Sequence, residues 1–498
     1  MATRKPKAPP KSNFRVIRAT AADSVESIDL DVLTRNCLRL YGEEVNLDRS
    51  VPDYRDGMKP VTRRLLYALH TMGNQTVKTA RLSGETLGKY HPHGQASVNG
   101  AVHTQVIANT PPITGIGNWG SIIDPPGADR YTNVKMSLYG KSFFDSSYMP
   151  LMSKIDSYDG KEKEPLFLPA LLPQLLLNGI EGIGLGLSTS IPAFTPVSLL
   201  PLMADLAEGQ KISSEDMARR LVPYHMYGGE VVKSKQNRDA LVAFMDSFTG
   251  SIMWTSPLEV SEETKTVRIN KFCPTVNPIK LVEDFLKPMR EVSTVHSGSG
   301  VSYTIQCRRD INMPEFRAFV EKLRKKVSTK YSYEIYITRR DLREDNSSKY
   351  EVKFRQVTLR QLIELWVRYR IDLERSSIKH QIEVSKAKIA HFGLLLLACS
   401  KLDIIFQALR LKDPKAFIVK NLKITDEQAE TILNLKVRQL SKLDNDQILS
   451  MRKKEESVLA QLKEDVKIPH RIVADYLRSK STQFKLVRND WSNQWILD

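Results

Sequence analysis

Cysteine is scarce in this sequence, and the few copies are spread along the chain. They are Cys37, Cys273, Cys307 and Cys399, and no two of them form a CxxC pair. The sequence therefore predicts neither a structural zinc site nor a disulfide framework, and it favours a reducing compartment. Long apolar runs are also missing. The longest block, 394–399, is far shorter than the ~20 residues of a membrane-spanning helix, so we expect no membrane segment.

Motifs that bind nucleotides or metals are missing as well. No GxxxxGK[ST] loop is present, which argues against a P-loop ATPase in this chain. The segment 115–120 formally matches GxGxxG, but two prolines precede it and no helical pattern follows, so we interpret it as a loop. No Glu…Asp-x-Asp cluster stands at strand ends, so we expect no Mg²⁺ site of the chain's own. Asp29 and Asp31 lie within 23–41, where the spacing of the apolar residues predicts a helix, and are interpreted as its solvated face.

Positive charge, by contrast, is abundant. Lysine and arginine total 74 against 57 acidic residues, and the net charge is +17. This excess indicates a polyanionic partner, with nucleic acid favoured over an acidic membrane surface. A chain of 498 residues with 41% apolar content is long enough for about two to four domains with sizeable cores.

The Arg130-Tyr131 pair, which follows a Pro-Pro-Gly turn, is the first candidate for chemistry. A phenol is a poor nucleophile at neutral pH because its unperturbed pKa is ~10. A neighbouring guanidinium favours the phenolate and can also stabilise charge that develops on a phosphate. Most tyrosines beside an arginine are structural, so the pair gains weight only from the motifs upstream.

A basic cluster opens the predicted helix that begins at Pro60, and it comprises Lys59, Arg63 and Arg64. Proline at the first helical position is typical of a helix start. The functional interpretation is a helix that contacts DNA phosphates. The alternative is a surface helix with ordinary charges.

Two histidines follow in the motif Tyr-His-Pro-His-Gly, at positions 91 and 93, directly after Lys89. We interpret His91 and His93 as groups that contact DNA or handle protons. A structural histidine is the alternative at each position. A metal site is the other alternative, although no third ligand lies at a suitable spacing.

In their order, these motifs resemble the breakage-reunion subunit of type IIA DNA topoisomerases. Gyrase A subunits and the medium subunit of T-even phage topoisomerases are the nearest forms. The resemblance is strong over 38–138, resumes at 164–192 and continues more loosely over 358–466. It implies a DNA topoisomerase of type II, which hydrolyses ATP as a complex.

The resemblance also implies roles for particular residues. Tyr131 would attack a backbone phosphate, and Arg130 would stabilise the transition state. His93 and Arg49 would assist by proton handling or charge. The implied DNA contacts are Lys59, Arg63, Arg64, His91, Lys89 and Ile183. Ile183 lies in a glycine-rich stretch, where the family inserts an isoleucine between base pairs and bends the duplex; a core isoleucine is the alternative.

The expected fold is α+β and multidomain. A capping box at Thr358 starts a long amphipathic helix to about residue 390, and 447–466 is its expected partner. Thr425 and Gln428 cap one of the short helices expected between the two. By the resemblance, a disordered basic tail occupies 1–22, and an N-terminal arm and winged-helix domain with the tyrosine occupies 23–155. A mixed α/β tower domain follows over 156–347. An antiparallel coiled coil with a helical dimerisation knob, which forms an exit gate, occupies 348–470, and a C-terminal tail occupies 471–498.

The implied partners are double-stranded DNA, a second copy of the chain and an ATPase/TOPRIM-type subunit in a heterotetramer-like complex. That subunit would bind ATP and most of the Mg²⁺. The complex would act in the bacterial cytoplasm, and the chain could be encoded by a cellular or a phage gene. The chain leaves no room for a β-pinwheel wrapping domain, so we expect relaxation or decatenation of DNA. The alternative functions are a DNA-bending architectural protein without catalysis and a metallohydrolase built on His91 and His93.

Overall fold

The structure is a computed structural model. It describes residues 15–19, 25–73, 75–121, 124–225, 228–297, 302–342, 350–434 and 445–486. Most of the expected basic tail, and the end of the expected C-terminal tail, lie outside these residues.

The N-terminal region begins with a strand pair and not with the helix expected over 23–41. Strand β1 (Arg15–Ala19) pairs antiparallel with β2 (Val25–Asp29). Helix α1 (Leu30–Val45) then begins because the Asp29 carboxylate accepts a hydrogen bond from the Asp31 backbone N–H (3.1 Å), which is a capping interaction. The helix prediction is therefore wrong before Leu30, and part of the expected disordered tail is a strand.

Three helices packed on a small antiparallel sheet follow. The helices are α2 (Pro60–Thr71), α3 (Thr79–Lys89) and α4 (Gln95–Val106). The strands are β3 (Val77–Lys78), β4 (Ile113–Ile116) and β5 (Asn133–Met136), in the order β3-β5-β4. Proline occupies the first turn of α2, as predicted, and the helix buries Leu65, Leu66 and Leu69.

Short elements connect this unit to the next one. They are α5 (Leu138–Ser142), a 3₁₀ turn (Met149–Leu151), β6 (Lys154–Asp156), β7 (Lys163–Pro165) and α6 (Gln174–Asn178). The strands of a hairpin come next: β8 (Ile180–Ile183) and β9 (Ser188–Ile191). A π-helical turn (Asn46–Ser50) from the N-terminal region lies against β8.

The middle of the chain contains helices and several small sheets. The strands are β10 (Ala193–Phe194), β11 (Pro223–Tyr224), β12 (Glu230–Val231), β13 (Thr249–Thr255), β14 (Leu258–Ser261), β15 (Thr266–Ile269), β16 (Val292–Ser297), β17 (Tyr303–Cys307), β18 (Ser328–Glu334), β19 (Tyr336–Leu342) and β20 (Tyr350–Gln356). The larger sheets run β12-β13-β18-β9-β8 and β14-β15-β17-β16, while β10 pairs with β11 and β19 with β20. The helices are α7 (Pro196–Ala207), α8 (Ser214–Arg220), α9 (Lys235–Asp246), α10 (Pro278–Lys280), which continues into a π-helical segment (Leu281–Leu286), and α11 (Met313–Lys326).

A 42-residue helix, α12 (Leu359–Ser400), dominates the C-terminal part. The predicted capping box of Thr358 and Gln361 is present at its start. The helix runs beyond the expected end near 390, because the sequence offers no proline to stop it. Shorter helices follow: α13 (Leu402–Ala408), α14 (Pro414–Leu422), α15 (Asp426–Leu433), α16 (Asn445–Asp465) and α17 (Pro469–Leu486).

Helices α12 and α16 lie side by side and run antiparallel. Ser385 donates to the Glu455 carboxylate (2.7 Å), and a Cβ on Gly393 would lie 3.9 Å from Arg452. Residue numbers thus rise on one helix as they fall on the other.

Among the described residues, no single helix is long and apolar enough to cross a bilayer. Helices α12 and α13, which meet at a bend of 81°, together have the length and apolar composition of a span, on those two criteria alone.

Helix α17 corrects the expected C-terminal tail, since it packs on α7 and α12. Arg478 pairs with Asp205 (2.8 Å) and Glu208 (2.7 Å) on and beside α7. Val473 and Leu477 are fully buried in the largest core, which also contains Trp254 and Trp366. Burial of one such aliphatic side chain contributes ~1.5–3 kcal/mol, which explains why this helix is docked. The α+β class predicted from the sequence is confirmed.

Candidate nucleic-acid interface and active site

The tyrosine loop, residues 124–132, presents Tyr131 to solvent. The side chain of Tyr131 is 67% exposed. The Arg130 guanidinium carbon lies 4.6 Å from the centroid of its ring, so the two groups are also close in space. The Tyr131 backbone N–H donates to the Ala128 carbonyl (2.8 Å) in a tight turn. A hydroxyl placed here is accessible to a docked duplex.

The residue after the tyrosine is buried and fixed. Thr132 accepts from the Thr79 N–H through its carbonyl (3.1 Å), and the two threonine hydroxyls are 2.8 Å apart. Thr79 opens α3, and strand β5 begins at Asn133. The loop is therefore attached at its end to both the helix and the sheet.

The glycine-containing segment 115–120 braces the loop from the other side. The Gly127 N–H donates to the Asn118 carbonyl (2.9 Å). Gly120 has φ +73°, and a Cβ there would lie 2.5 Å from the Asp124 carbonyl oxygen, so only glycine fits without strain. The segment starts in β4, and the next element among the residues described after it is strand β5, which is not the strand–turn–helix of a dinucleotide-binding motif.

The two histidines stack on each other, with ring centroids 4.1 Å apart. His91 is 4% exposed, and its Nδ1 lies 3.1 Å from Arg64 Nη1. Burial, aided by the charges of Arg64, His93 and Arg49, lowers the pKa of His91 to about 3. His91 is thus a buried neutral ring beside an exposed His93. The expectation that His91 contacts DNA is corrected, because a buried ring has no free edge for a docked duplex.

Arg63 also differs from the sequence expectation. It is 4% exposed, and its guanidinium donates to the fully buried Asp56 carboxylate (2.6 and 3.1 Å) and to the Met58 carbonyl (3.1 Å). A buried guanidinium held by a carboxylate does not reach a surface phosphate. Arg63 therefore supports the start of α2 from within.

The other predicted basic residues are nearer the surface. Arg64 forms a bidentate pair with Glu164 (2.7 and 2.8 Å). Lys59 donates to the Glu181 carbonyl (2.7 Å), and burial lowers its pKa. Lys89 pairs with Glu85 (2.6 Å) at the exposed end of α3.

Arg49 is exposed in the π-helical turn. Its charge is among those that lower the pKa of His91. Arg49, Arg64 and the histidine pair therefore lie in one neighbourhood.

Ile183 stands at the tip of the β8–β9 hairpin with 87% of its side chain exposed. The alternative of a core isoleucine is wrong. Ser50 donates to the Ile183 carbonyl (2.7 Å), and the Asn46 side-chain amide bonds both the N–H (2.7 Å) and the carbonyl (3.0 Å) of Leu185. A Cβ on Gly184 would lie 2.0 Å from Asn46 Oδ1, so the close approach requires glycine.

Several supporting residues were missed in the sequence, among them Asn46, Ser50, Asp129 and Thr132. Asn46 and Ser50 bond partners more than 130 positions away. Spacing along the chain carries no signal for such contacts. Asp129 could have been noticed, because its carboxylate stands directly before the arginine-tyrosine pair.

The site offers poor ligands for a divalent cation. Within the described part of the chain, no group of three or more His, Cys, Asp or Glu residues is placed to hold a metal. The groups around the histidine pair are the cations of Arg49 and Arg64, whereas Mg²⁺ prefers several oxygen ligands. The metallohydrolase alternative also fits poorly, because His91 and His93 are stacked face to face and Nδ1 of His91 meets a guanidinium.

The fold and site define a class: an α+β protein with an exposed tyrosine beside an arginine on a loop. The model of the family formed by the A subunits of DNA gyrase and topoisomerase IV matches residues 49–479. The chain belongs to this family, as its motifs predict.

Curated relatives agree. The chain is 27% identical over 428 residues to the DNA gyrase A protein of Thermotoga maritima, covering 81% of this chain and 51% of that protein. It is 26% identical over 456 residues to the DNA gyrase A protein of Streptococcus pneumoniae (87% and 54%). It is 28% identical over 456 residues to the DNA topoisomerase 4 A protein of Salmonella typhimurium (85% and 57%). The chain thus spans about half the length of the curated relatives it matches.

Proposed function

We propose that this chain is the DNA-cleaving and religating subunit of an ATP-dependent type IIA DNA topoisomerase. The observation that carries the proposal is the exposed Tyr131 beside Arg130, on a loop anchored to α3 and β5, in a chain that belongs with the A subunits of gyrase and topoisomerase IV. The net charge of +17 supports a DNA partner.

The proposed reaction is a transesterification. The Tyr131 oxygen bonds to a backbone phosphorus as the bond from phosphorus to a deoxyribose oxygen breaks, and the tyrosine proton leaves while the deoxyribose oxygen gains one. The phosphotyrosyl bond keeps the phosphodiester energy, so the reverse attack religates the strand without an added energy source. Arg130 stabilises the charged transition state, and His93 and Arg49 assist by proton handling or charge. Two protomers each cut one strand.

DNA positioning falls to the exposed and half-exposed groups. Lys59, Arg64 and Lys89 supply positive charge along the side of the duplex, while Arg63 and His91 act from beneath by fixing their neighbours. Ile183 inserts between base pairs and bends the duplex. Its exposure supports this role, because an isoleucine in water gains apolar contacts only when a partner covers it.

The domain assignment follows the same proposal. The three helices and sheet within 23–155 form a winged-helix domain, and 156–347 forms a tower domain. The antiparallel α12–α16 pair and the small helices between them, within 348–470, form a coiled coil with a dimerisation knob that serves as an exit gate. Helix α17, most of which lies within 471–498, docks back onto α7.

Partners complete the proposed enzyme. An ATPase/TOPRIM-type subunit supplies ATP-driven gating and the ligands for Mg²⁺, which activates the scissile phosphate. Two copies of each subunit form a heterotetramer on double-stranded DNA. The assembled enzyme relaxes or decatenates DNA.

The test mixes the full chain with the ATPase subunit from the same genome, supercoiled plasmid, Mg²⁺ and ATP, and then denatures the protein. We expect DNA covalently attached to the wild type, relaxed plasmid in undenatured samples, and neither product with Tyr131→Phe. Tyr158→Phe, which removes the hydroxyl of another exposed tyrosine, one that donates to the Gly88 carbonyl (3.0 Å), is the matched control and retains both. An adduct that survives Tyr131→Phe would refute the assignment.

The second candidate is a DNA-bending architectural protein, which the exposed Ile183 favours independently of Tyr131. It predicts a bent duplex and no adduct in the same experiment. Negative supercoiling of relaxed plasmid would contradict the relaxation and decatenation proposal while leaving the cleavage chemistry in place.

A further inference from the structure

Asp129, directly before the Arg130-Tyr131 pair, reaches from the tyrosine loop to helix α4. Its Oδ2 accepts hydrogen bonds from Gln95 Nε2 (2.6 Å) and Asn99 Nδ2 (3.1 Å). Gln95 and Asn99 are four positions apart on α4, so both amides lie on one face of the helix. A single carboxylate oxygen thus joins the loop to two successive turns.

The amide of Asn99 is itself held in place. The fully buried Ser83, on α3, donates to Asn99 Oδ1 (2.6 Å). With its oxygen engaged by Ser83, the Asn99 side chain directs its NH₂ group at Asp129. The contact is therefore backed by a third residue on a second helix, which is the arrangement that keeps a positioning group rigid.

The carboxylate is an ionised acceptor. The hydrogen bond from Asn99 lowers the pKa of Asp129, with further contributions from Gln95 and Arg130 that together outweigh slight burial. Hydrogen bonds to an ionised acceptor are roughly twice as strong as neutral ones.

The backbone on both sides of the dipeptide is also tied to α3. The Asp129 carbonyl accepts from the Ala80 N–H (3.2 Å), and the Thr132 carbonyl accepts from the Thr79 N–H (3.1 Å). Arg130 and Tyr131, the two residues between these anchors, are exposed. The segment 129–132 is fixed at both ends, and the two proposed reactive residues between the anchors project from it.

We propose that Asp129 is a positioning residue for the cleavage reaction: by bonding Gln95 and Asn99 it holds the Tyr131 hydroxyl where in-line attack on a phosphate is possible. The inference rests on the proposed function. In-line displacement requires the attacking oxygen to be aligned, and a misplacement of about 1 Å can cost ~100-fold in rate. A negative charge beside Arg130 would by itself repel DNA. If Asp129 acted only through DNA affinity, its removal would tighten DNA binding and would not slow cleavage.

The experiment measures covalent adduct formation in a single turnover at saturating DNA, together with the DNA dissociation constant, using the full chain and its ATPase partner. Asp129→Ala should slow adduct formation roughly 10- to 100-fold, with DNA affinity unchanged or tighter. Asp129→Asn should recover to within about threefold of the wild type, because its amide oxygen can accept the same two bonds. Asp310→Ala, which removes an aspartate paired with Arg308 in an exposed turn, is the matched control and should not change the rate.

A double-mutant cycle tests the contact itself. Asn99→Ala should slow the reaction less than Asp129→Ala, and the double variant should be no slower than Asp129→Ala alone, since the two residues share one interaction. Additive losses, or a rate for Asp129→Ala within twofold of the wild type, would overturn the inference. A parallel loss of DNA affinity and thermal stability in Asp129→Ala would also overturn it in favour of a purely structural role.

Amide hydrogen exchange separates this inference from the proposed function. If the wild type forms no adduct, the proposed function fails, but the anchor can still be judged on the full chain alone. The amides of Gly127 and Tyr131, which bond within or beside the loop, should exchange faster in Asp129→Ala than in the wild type and Asp310→Ala. Equal exchange would show that Asp129 does not hold the loop.

Discussion

The tyrosine loop and the β8–β9 hairpin each expose one large side chain, Tyr131 and Ile183, to solvent. The two segments are anchored to the rest of the protein by different kinds of contact. The loop is tied by an ionised carboxylate to amides on the neighbouring helix α4. The hairpin is tied by a neutral amide and a hydroxyl from Asn46 and Ser50, which belong to a distant part of the chain. An attacking oxygen needs an accurate position, whereas a wedge needs mainly a direction and an exposed apolar surface. The stronger anchor therefore lies where the demand on geometry is greater.

A buried charge network lies at the base of the site, beneath helix α2 and the turn that supports the hairpin. Asp53 accepts from Arg55 Nη2 (2.8 Å) and from the Arg340 N–H (3.0 Å). The Arg340 guanidinium also donates to the Leu47 carbonyl, in the π-helical turn that supports the hairpin. Arg63 and Asp56 form the neighbouring buried pair under α2. Damage to this base should therefore weaken the support of the hairpin.

The largest effect is expected from breaking that base. Arg63→Ala leaves the buried Asp56 carboxylate without its cationic partner, which should lower the free energy of unfolding by about 3–5 kcal/mol. Thermal and denaturant unfolding of the full chain measure the loss. Arg35→Ala removes an exposed pair with Asp31 and should change stability by less than about 1 kcal/mol. Similar losses for the two variants would contradict the distinction between the buried base and the surface.

The next largest effect is the pH dependence of stability that comes from His91, the buried member of the histidine pair. The folded pKa of His91 is about 3, below the ~6.5 of an unfolded chain. As pH falls below ~6.5 the unfolded state binds this proton first, so stability should decline by about 1.4 kcal/mol per pH unit, or about 2 kcal/mol by pH 5. His91→Gln should remove that part of the slope between pH 7 and pH 5 in unfolding experiments. An unchanged slope would mean that the ring is protonated in the folded protein.

The smallest effect should come from the hairpin anchor. Asn46→Ala removes two exposed hydrogen bonds to Leu185, each worth about 0.5–1 kcal/mol. We expect DNA bending, measured by energy transfer between labelled duplex ends, to weaken roughly fivefold in its equilibrium constant. Ile183→Ala is the reference for complete loss of the wedge, and neither variant should lower the melting temperature appreciably. Equal bending by all three proteins would exclude Ile183 as the wedge.

Local patterns predicted many elements of the fold. Pro60 marks the start of α2, and the capping boxes at Thr358 and Thr425 mark two further helices. These signals work because capping and helix starts involve residues within four positions. The same locality explains the errors: the pattern before Leu30 suits a strand or a helix, and only the pairing of β1 with β2 decides between them.

The sequence by itself determined the family, the order of the motifs and the Arg130-Tyr131 dipeptide with its candidate nucleophile. Only the tertiary structure decided which positive charges face solvent. Arg63 and His91 have residue types suited to phosphate, yet both are buried, while Ile183 is apolar and stands in water. Burial and long-range anchors such as Asp129–Asn99 and Asn46–Leu185 depend on which segments meet in space, and spacing along a chain does not encode that.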